Sequence, residues 1–466
     1  MKKWHLSLKR KLAIFGTAAL ASLLLVGCSS NSSSSGKTVT KANTGMKVIG
    51  DHIKYDPNKK VNDGKPITIE YWTWNQSDAT IKMAKQYHKL YPNVKIKVVQ
   101  NDWDNYWKKL PLAIKGGTGP AIFNIHNSFD STIKPYLAPY KISTKNLEAD
   151  YNGVEPHVQN GKVYYTDYSI NTGNIYYNKK LWKEAGLTDN DIPKTWDQLI
   201  AVAKKMTKFK DGKMTQAGFN INQETYSAMI FGLNYQKGQL LFSKNGKKLE
   251  FDNKVTVENT NFLQEMYTKD KIGSADFGTD STKSFGNGQS AMVYKWGWFQ
   301  GELNTNYSKL DYGVFPTPSF TEKTPFAYDR YNGESTPGIN NKASKEQQAV
   351  AQDFLRYLLA GDEWTKEFSL ANTCYPMKKS LADDKDIKAN KTLAAMATHL
   401  DRYIWPGSFP STIETNATKA FEDIMYNKKP VEQSIKQAQK KATSDMKETP
   451  FTSVESKYKF YDELNK

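Results

Sequence analysis

The chain has 466 residues, a formal net charge of +17 and two cysteines. That length supports a sizeable core and two or more domains, while two cysteines and six histidines with no CxxC or HExxH spacing offer no metal, redox or other cofactor motif. Only Arg10, Arg330, Arg356 and Arg402 are arginine and the other positive residues are scattered lysines, which argues against a nucleic-acid partner, where a concentrated patch and arginine forks are expected.

Lys2, Lys3, Lys9, Arg10 and Lys11 precede an apolar or small run from Leu12 to Val26. A spanning helix needs roughly 20 apolar residues, so this run reads as an export signal. The first 27 residues carry five positive charges and no acid, so their removal takes 17 down by five to +12. Leu25, Val26, Gly27 and Cys28 resemble the bacterial lipoprotein box, whose thiol takes a diacylglycerol while the peptide bond before it is cut. The competing reading is an ordinary secretory signal that happens to contain a cysteine. The resemblance implies that residues 1–27 are removed and that acyl chains, palmitate among them, on Cys28 hold the protein to the extracellular face of a bacterial cytoplasmic membrane, in a Gram-positive cell. Residues 28–45 are mostly Ser, Asn, Gly, Thr and Lys, with almost nothing to bury, and are expected to be a disordered tether.

Pro66 to Trp74 alternates like a strand and ends at Asn75, Gln76, Ser77 and Asp78. Ile81, Ala84, Tyr87, Leu90 and Tyr91 recur at helical spacing until Pro92, and Val94 to Val99 alternates again. This β-α-β unit predicts an α/β protein with a largely parallel sheet, whose ligands lie beyond the carboxyl ends of the strands. Trp72, Trp74, Asn75 and Gln76 are at that end, and a third strand, 121–125, delivers His126, Asn127 and Ser128 to the same rim. Residues 161–178 are β-rich and aromatic and run into a helix beginning at Lys179. Thr195 and Gln198 form a capping box ahead of Leu199, Val202, Ala203 and Met206.

From Tyr177-Asn178-Lys179-Lys180-Leu181 through Glu184 to Leu187 and Pro193 to Leu199, the sequence resembles the extracellular sugar-binding proteins of ABC importers, relatives of the maltodextrin-binding protein in solute-binding protein family 1. Phe285 to Met292, Trp296-Gly297-Trp298, Tyr312 to Pro318, Gly333 to Lys345, Ala349 to Leu359 and Pro430 to Ala438 continue the match in order, across nearly the whole mature chain. The resemblance implies a two-lobe periplasmic-binding-protein type II fold with a hinged cleft crossed three times by the chain: lobe one as 46–171 and 333–374, lobe two as 172–332 and 375–466. It implies an oligosaccharide ligand, ABC permease subunits as partners, a monomer, no catalysis and no cofactor.

A pyranose has hydroxyls on its edge and C–H patches on its faces, so its site wants flat aromatics and short polar groups. The resemblance puts a stacking tryptophan at Trp298 and a second-lobe tyrosine at Tyr226. It puts hydroxyl-gripping groups at Asn124, His126, Asn127 and Ser128, and Asn171 at the first crossing. Trp74, Asn75 and Gln76, the further aromatics Tyr168, Trp296 and Tyr375, and Glu334 in the turn that starts at Gly333 complete the candidates. Trp103, Trp107 and Trp405 leave room for more than one ring. The maltodextrin pattern is not kept throughout. Asn127-Ser128 replaces an acidic-basic pair, Asn124 an aromatic and Asn171 a glutamate, so the sugar class carries over and the particular sugar does not. Trp182 and Trp196 read as helix packing, Trp72 as core or cleft, and Glu70 and Asp167 as structural. A surface-anchored glycosidase, which needs two carboxylates across the scissile bond, and the same fold with a non-sugar solute are the alternatives.

Overall fold

The computed structural model describes residues 45–465, apart from 75, 76, 127, 128, 222 and 279. The expected signal, the lipidation site Cys28 and all but the last residue of the expected tether lie outside the described residues, as do Asn75, Gln76 and Asn127. Among the described residues no helix is long and apolar enough to cross a membrane.

The opening unit forms as its alternation dictates. In β1 (Ile67–Thr73) Ile69, Tyr71 and Thr73 are buried while Trp72 is only half-buried, donating Nε1–H to Glu70 at 2.8 Å. The helix Ser77–Leu90 leads to β2 (Val94–Gln100), parallel to β1 along its whole length. β3 (Ile122–Phe123) lies on the other side of β1, and β4 (Leu137–Ala138) is nearby in the same sheet.

β5 (Asp167–Asn178) is buried at every position. Its first half feeds one core and its second half another: Tyr168 and Ile170 belong to the first, Ile175 and Tyr177 to the second. The chain then builds a second sheet from β6 (Lys208–Lys210), β7 (Lys213–Asn220), β8 (Ser290–Trp296), β9 (Tyr312–Pro316) and β10 (Asp329–Ser335). The helix Trp196–Met206 against β7 starts at the expected capping box of Thr195 and Gln198, and Trp182 and Trp196 are packed in the second core. β11 (Gly338–Asn340) returns to the first sheet, antiparallel between β3 and β4, for an order β2-β1-β3-β11-β4. β12 (Tyr375–Pro376) and β13 (Tyr403–Ile404) pair with β5 and β10.

The molecule is thus two α/β lobes, each with its own sheet and core. β5, β10 and β12 run side by side where they join, with Asn332 opposite Asn171 and Tyr375 opposite Ile170. Gly333 is required on β10, because a Cβ there would overlap the Asp167 carboxyl group. Residues Tyr375, Met377, Ile387, Leu393 and Met396, expected in lobe two, pack into the first core.

Candidate functional site

β1 and β3 end on one rim, and the helix Trp103–Lys115 begins beside them. Asp102 caps that helix by accepting from the Asn105 N–H at 3.0 Å, which fixes where Trp103, Tyr106 and Trp107 stand. Trp74 meets these three rings with centroids at 5.4, 5.0 and 5.5 Å. His126 lies 4.9 Å from Trp103, and Phe129 lies flat on Trp107 at 3.8 Å. Edge-to-face, tilted and stacked contacts together make a rigid apolar wall, and Trp103 presents it outward with 40% exposure. Behind the wall Asn124 is committed to the rim: Oδ1 accepts from Tyr71 at 2.5 Å, Nδ2 donates to Thr73 at 2.8 Å, and its carbonyl accepts from Tyr106 at 2.7 Å. Burial lowers the His126 pKa to about 4, the Glu414 charge opposing. The ring is therefore neutral at pH 7, with one donor and one acceptor.

The second lobe supplies the other wall. β8 ends at Trp296, and Gly297 turns the chain so that Trp298 projects with 43% exposure. The Lys295 ammonium lies 5.0 Å from the Trp298 ring centre. Trp296 donates Nε1–H to the Tyr294 hydroxyl at 3.1 Å, which donates to Asp329 at 2.8 Å. Burial pushes Asp329 up to about 7, with the Tyr294 hydroxyl and the Arg330 backbone N–H that it accepts from opposing. Arg330 lies 5.0 Å from the Trp296 ring and pairs with Glu414 of the helix Thr412–Met425. Thr225, Ser227, Trp296, Trp298, Arg330 and Glu414 line a pocket of about 240 Å³.

Where the lobes join, Asn171 accepts from the Gly297 N–H at 2.6 Å and donates Nδ2–H to the Cys374 sulfur at 3.5 Å. A Cβ on Gly297 would overlap the Thr373 carbonyl oxygen and the Met396 methyl group. Glu334 is half-buried on β10; burial, with the Asp167 charge, raises its pKa to about 7. Flat ring surfaces, an uncharged imidazole and carboxyl groups tuned by burial suit a hydroxylated ring.

The sequence model of the bacterial extracellular solute-binding protein family matches residues 73–362. The chain belongs to that family. As a solute-binding protein it is similar to the arabinooligosaccharide-binding protein of Bacillus subtilis, 26% identical over 338 residues, 69% of this chain and 75% of the relative. It is similar to a periplasmic sn-glycerol-3-phosphate-binding protein of Yersinia pestis, 26% identical over 60% of this chain and 68% of the relative. Among solved structures it is similar to a cyclo/maltodextrin-binding protein complexed with maltotetraose, with TM-score 0.70 and 19% identity over 83% of this chain and 99% of the other. An ABC substrate-binding protein from Listeria monocytogenes in complex with cycloalternan gives TM-score 0.65 and 20% identity over 82% of this chain and 100% of the other.

Within this solute-binding protein the candidates divide. Trp74 and His126 stand together on the first wall, Trp296 and Trp298 on the second, and Glu334 and Asn171 at the junction. Three expected aromatic contacts are core residues instead. Tyr226 is fully buried, its hydroxyl bonded to Thr260 at 2.8 Å and its ring stacked on Phe421 at 4.9 Å. Tyr168 stacks on Trp364 at 4.4 Å and meets Phe368 edge-on, and Tyr375 is buried in the same core. Each lies where apolar neighbours cover its faces. Sequence reasoning missed Arg330 and Glu414, which are 84 residues apart in the chain. The scarcity of arginine was the one signal that could have drawn attention to Arg330.

Proposed function

We propose that this protein is the substrate-binding lipoprotein of an ABC importer, which captures an oligosaccharide between its lobes and delivers it to membrane permease subunits. The supporting observation is a pair of aromatic walls on different lobes, Trp74 with Trp103 and His126 on one and Trp296 with Trp298 on the other, each set beside polar groups. Trp298 stacks on a sugar face, and His126 and Glu334 take hydroxyls at its edge. The relatives named for oligosaccharides support that ligand class. Contacts to both lobes favour the closed form, so ligand shifts the population toward the state that docks on the permease. No bond is made or broken. Cys28 carries the lipid, palmitate included, that keeps this monomeric receptor at the outer face of the cytoplasmic membrane of a Gram-positive bacterium.

Calorimetric titration with arabino-, malto- and manno-oligosaccharides of two to five rings tests this reading. Saturable binding with a ligand-dependent rise in melting temperature is expected, with the sugars recovered unchanged. Multiple turnover would convert the protein into the glycosidase that the sequence left open.

A further inference from the structure

The relatives of this chain are named for ligands of opposite character, neutral oligosaccharides and a phosphate ester. Its own pocket contains the group best suited to a phosphate or carboxylate, the guanidinium of Arg330. Arg330 is held firmly: its side chain is 8% exposed, and its charge centre lies 5.0 Å from the Trp296 ring and 5.4 Å from each of Phe231 and Phe409. Its Nε is buried without a hydrogen-bond partner among the described residues, so the planar fork is not saturated. Lys295 is no second free cation, since it is engaged elsewhere and lies against the Trp298 and Phe299 rings.

Glu414 changes what that guanidinium can do. Its side chain is 38% exposed, lines the same pocket, and accepts from Arg330 Nη2 through Oε1. A phosphate or uronate entering here meets a carboxylate at short range and is repelled by it, while the 8% exposed guanidinium it seeks is already engaged by that carboxylate. It must also displace an ion pair that is already formed, and leaving either member of a partly buried pair alone is costly. A neutral diol meets neither obstacle, because one hydroxyl can donate to the carboxylate while another accepts from the guanidinium fork.

We infer that Glu414 sets the charge class of the ligand: as the internal counter-ion of Arg330 it admits neutral hydroxylated molecules and rejects phosphate esters and uronates. For the ligand it admits, the inference rests on the carbohydrate reading above. Replacing Glu414 by an uncharged residue leaves Arg330 facing the pocket without its ion-pair partner and converts the site toward anions.

The test is calorimetry on the mature chain and its Glu414→Gln and Glu414→Ala variants. The probes are maltotetraose and arabinotriose as neutral ligands, and sn-glycerol 3-phosphate and trigalacturonate as anions. The parent is expected to bind neither anion. The variants are expected to bind at least one about tenfold or more tightly than the parent does, with added salt weakening that binding. Parent-like thermal unfolding in either variant suffices to read the result. An anion-binding parent, or folded variants that gain no anion affinity, overturns the assignment. A parent that binds no saccharide counts against the carbohydrate reading alone, because the anion comparison still decides the role of Glu414.

Discussion

The side-chain oxygen of Asn171 accepts a hydrogen bond from the backbone N–H of Gly297 at 2.6 Å. With the pairing of Gly173 to Trp296 and the Tyr176 hydroxyl on the Trp296 carbonyl, this contact ties β5 to the turn that aims Trp296 and Trp298, so the second wall is registered against the strand shared by both cores.

Gly297→Ala should therefore damage both fold and site. Its methyl group overlaps the Thr373 carbonyl and the Met396 side chain, and overpacking of that kind costs about 1–3 kcal/mol. Urea unfolding should report the loss. Saccharide affinity should fall as well, because the turn can relieve the clash only by moving Trp298. Asn171→Leu leaves the Gly297 N–H buried without an acceptor and should destabilise by about 1–3 kcal/mol. Unchanged stability in both would show that the Asn171 contact contributes nothing to holding the turn.

Trp298→Ala separates binding from folding. The ring is 43% exposed, so stability should change by about 1 kcal/mol or less, while affinity for the bound saccharide should drop about tenfold or more. Calorimetry and thermal unfolding on one preparation give both numbers. A parent-like affinity would remove Trp298 from the ligand contacts.

Tyr226→Phe should give the opposite pattern. The lost hydroxyl gives up its bond to Thr260 in a fully buried site, a change of about 1 kcal/mol in stability, and saccharide affinity should not move. A large affinity loss would return Tyr226 to the cleft.

Asp329 gives the stability curve a definite sign. Burial raises its pKa to about 7 from an ordinary 3.8, so between those values the native protein keeps a proton that the unfolded chain has released. Stability from this group is fully present below about pH 4 and is lost as pH rises toward 7, by up to roughly 1.4 kcal/mol per pH unit. Parent and Asp329→Asn should be compared by urea unfolding at pH 5 and pH 8. The parent is expected to be the more favoured of the two at pH 5, and its advantage should shrink at pH 8. An advantage that grows with pH would mean that Asp329 is charged in the folded state.

The legible parts of this chain were local. Alternation from Ile67 to Thr73 and the 3.6-residue spacing up to Leu90 are written in adjacent residues, as is the box at Thr195 and Gln198. The helix Trp103–Lys115 was missed although its buried Tyr106, Trp107, Leu110 and Ile114 keep helical spacing, because Pro111 inside it reads as a helix breaker. The crossings were only implied by the resemblance, near 171, 332 and 375; Asn171, Asn332 and Tyr375 lie on neighbouring strands. Whether a ring faces a core or a cleft was not legible, since Phe421, which covers Tyr226, comes from a helix far along the sequence. The Arg330–Glu414 pair is likewise a product of tertiary folding, and no spacing rule reaches across 84 residues.

Where the two halves of the molecule meet, β10 and β12 lie on either side of β5, each antiparallel to it and bonded to it. Twisting or sliding one half against the other would shear that ladder, whereas bending across it spares the bonds. The movement that costs this ladder least is thereby a bend across it, which opens and shuts one half on the other like a book on its spine.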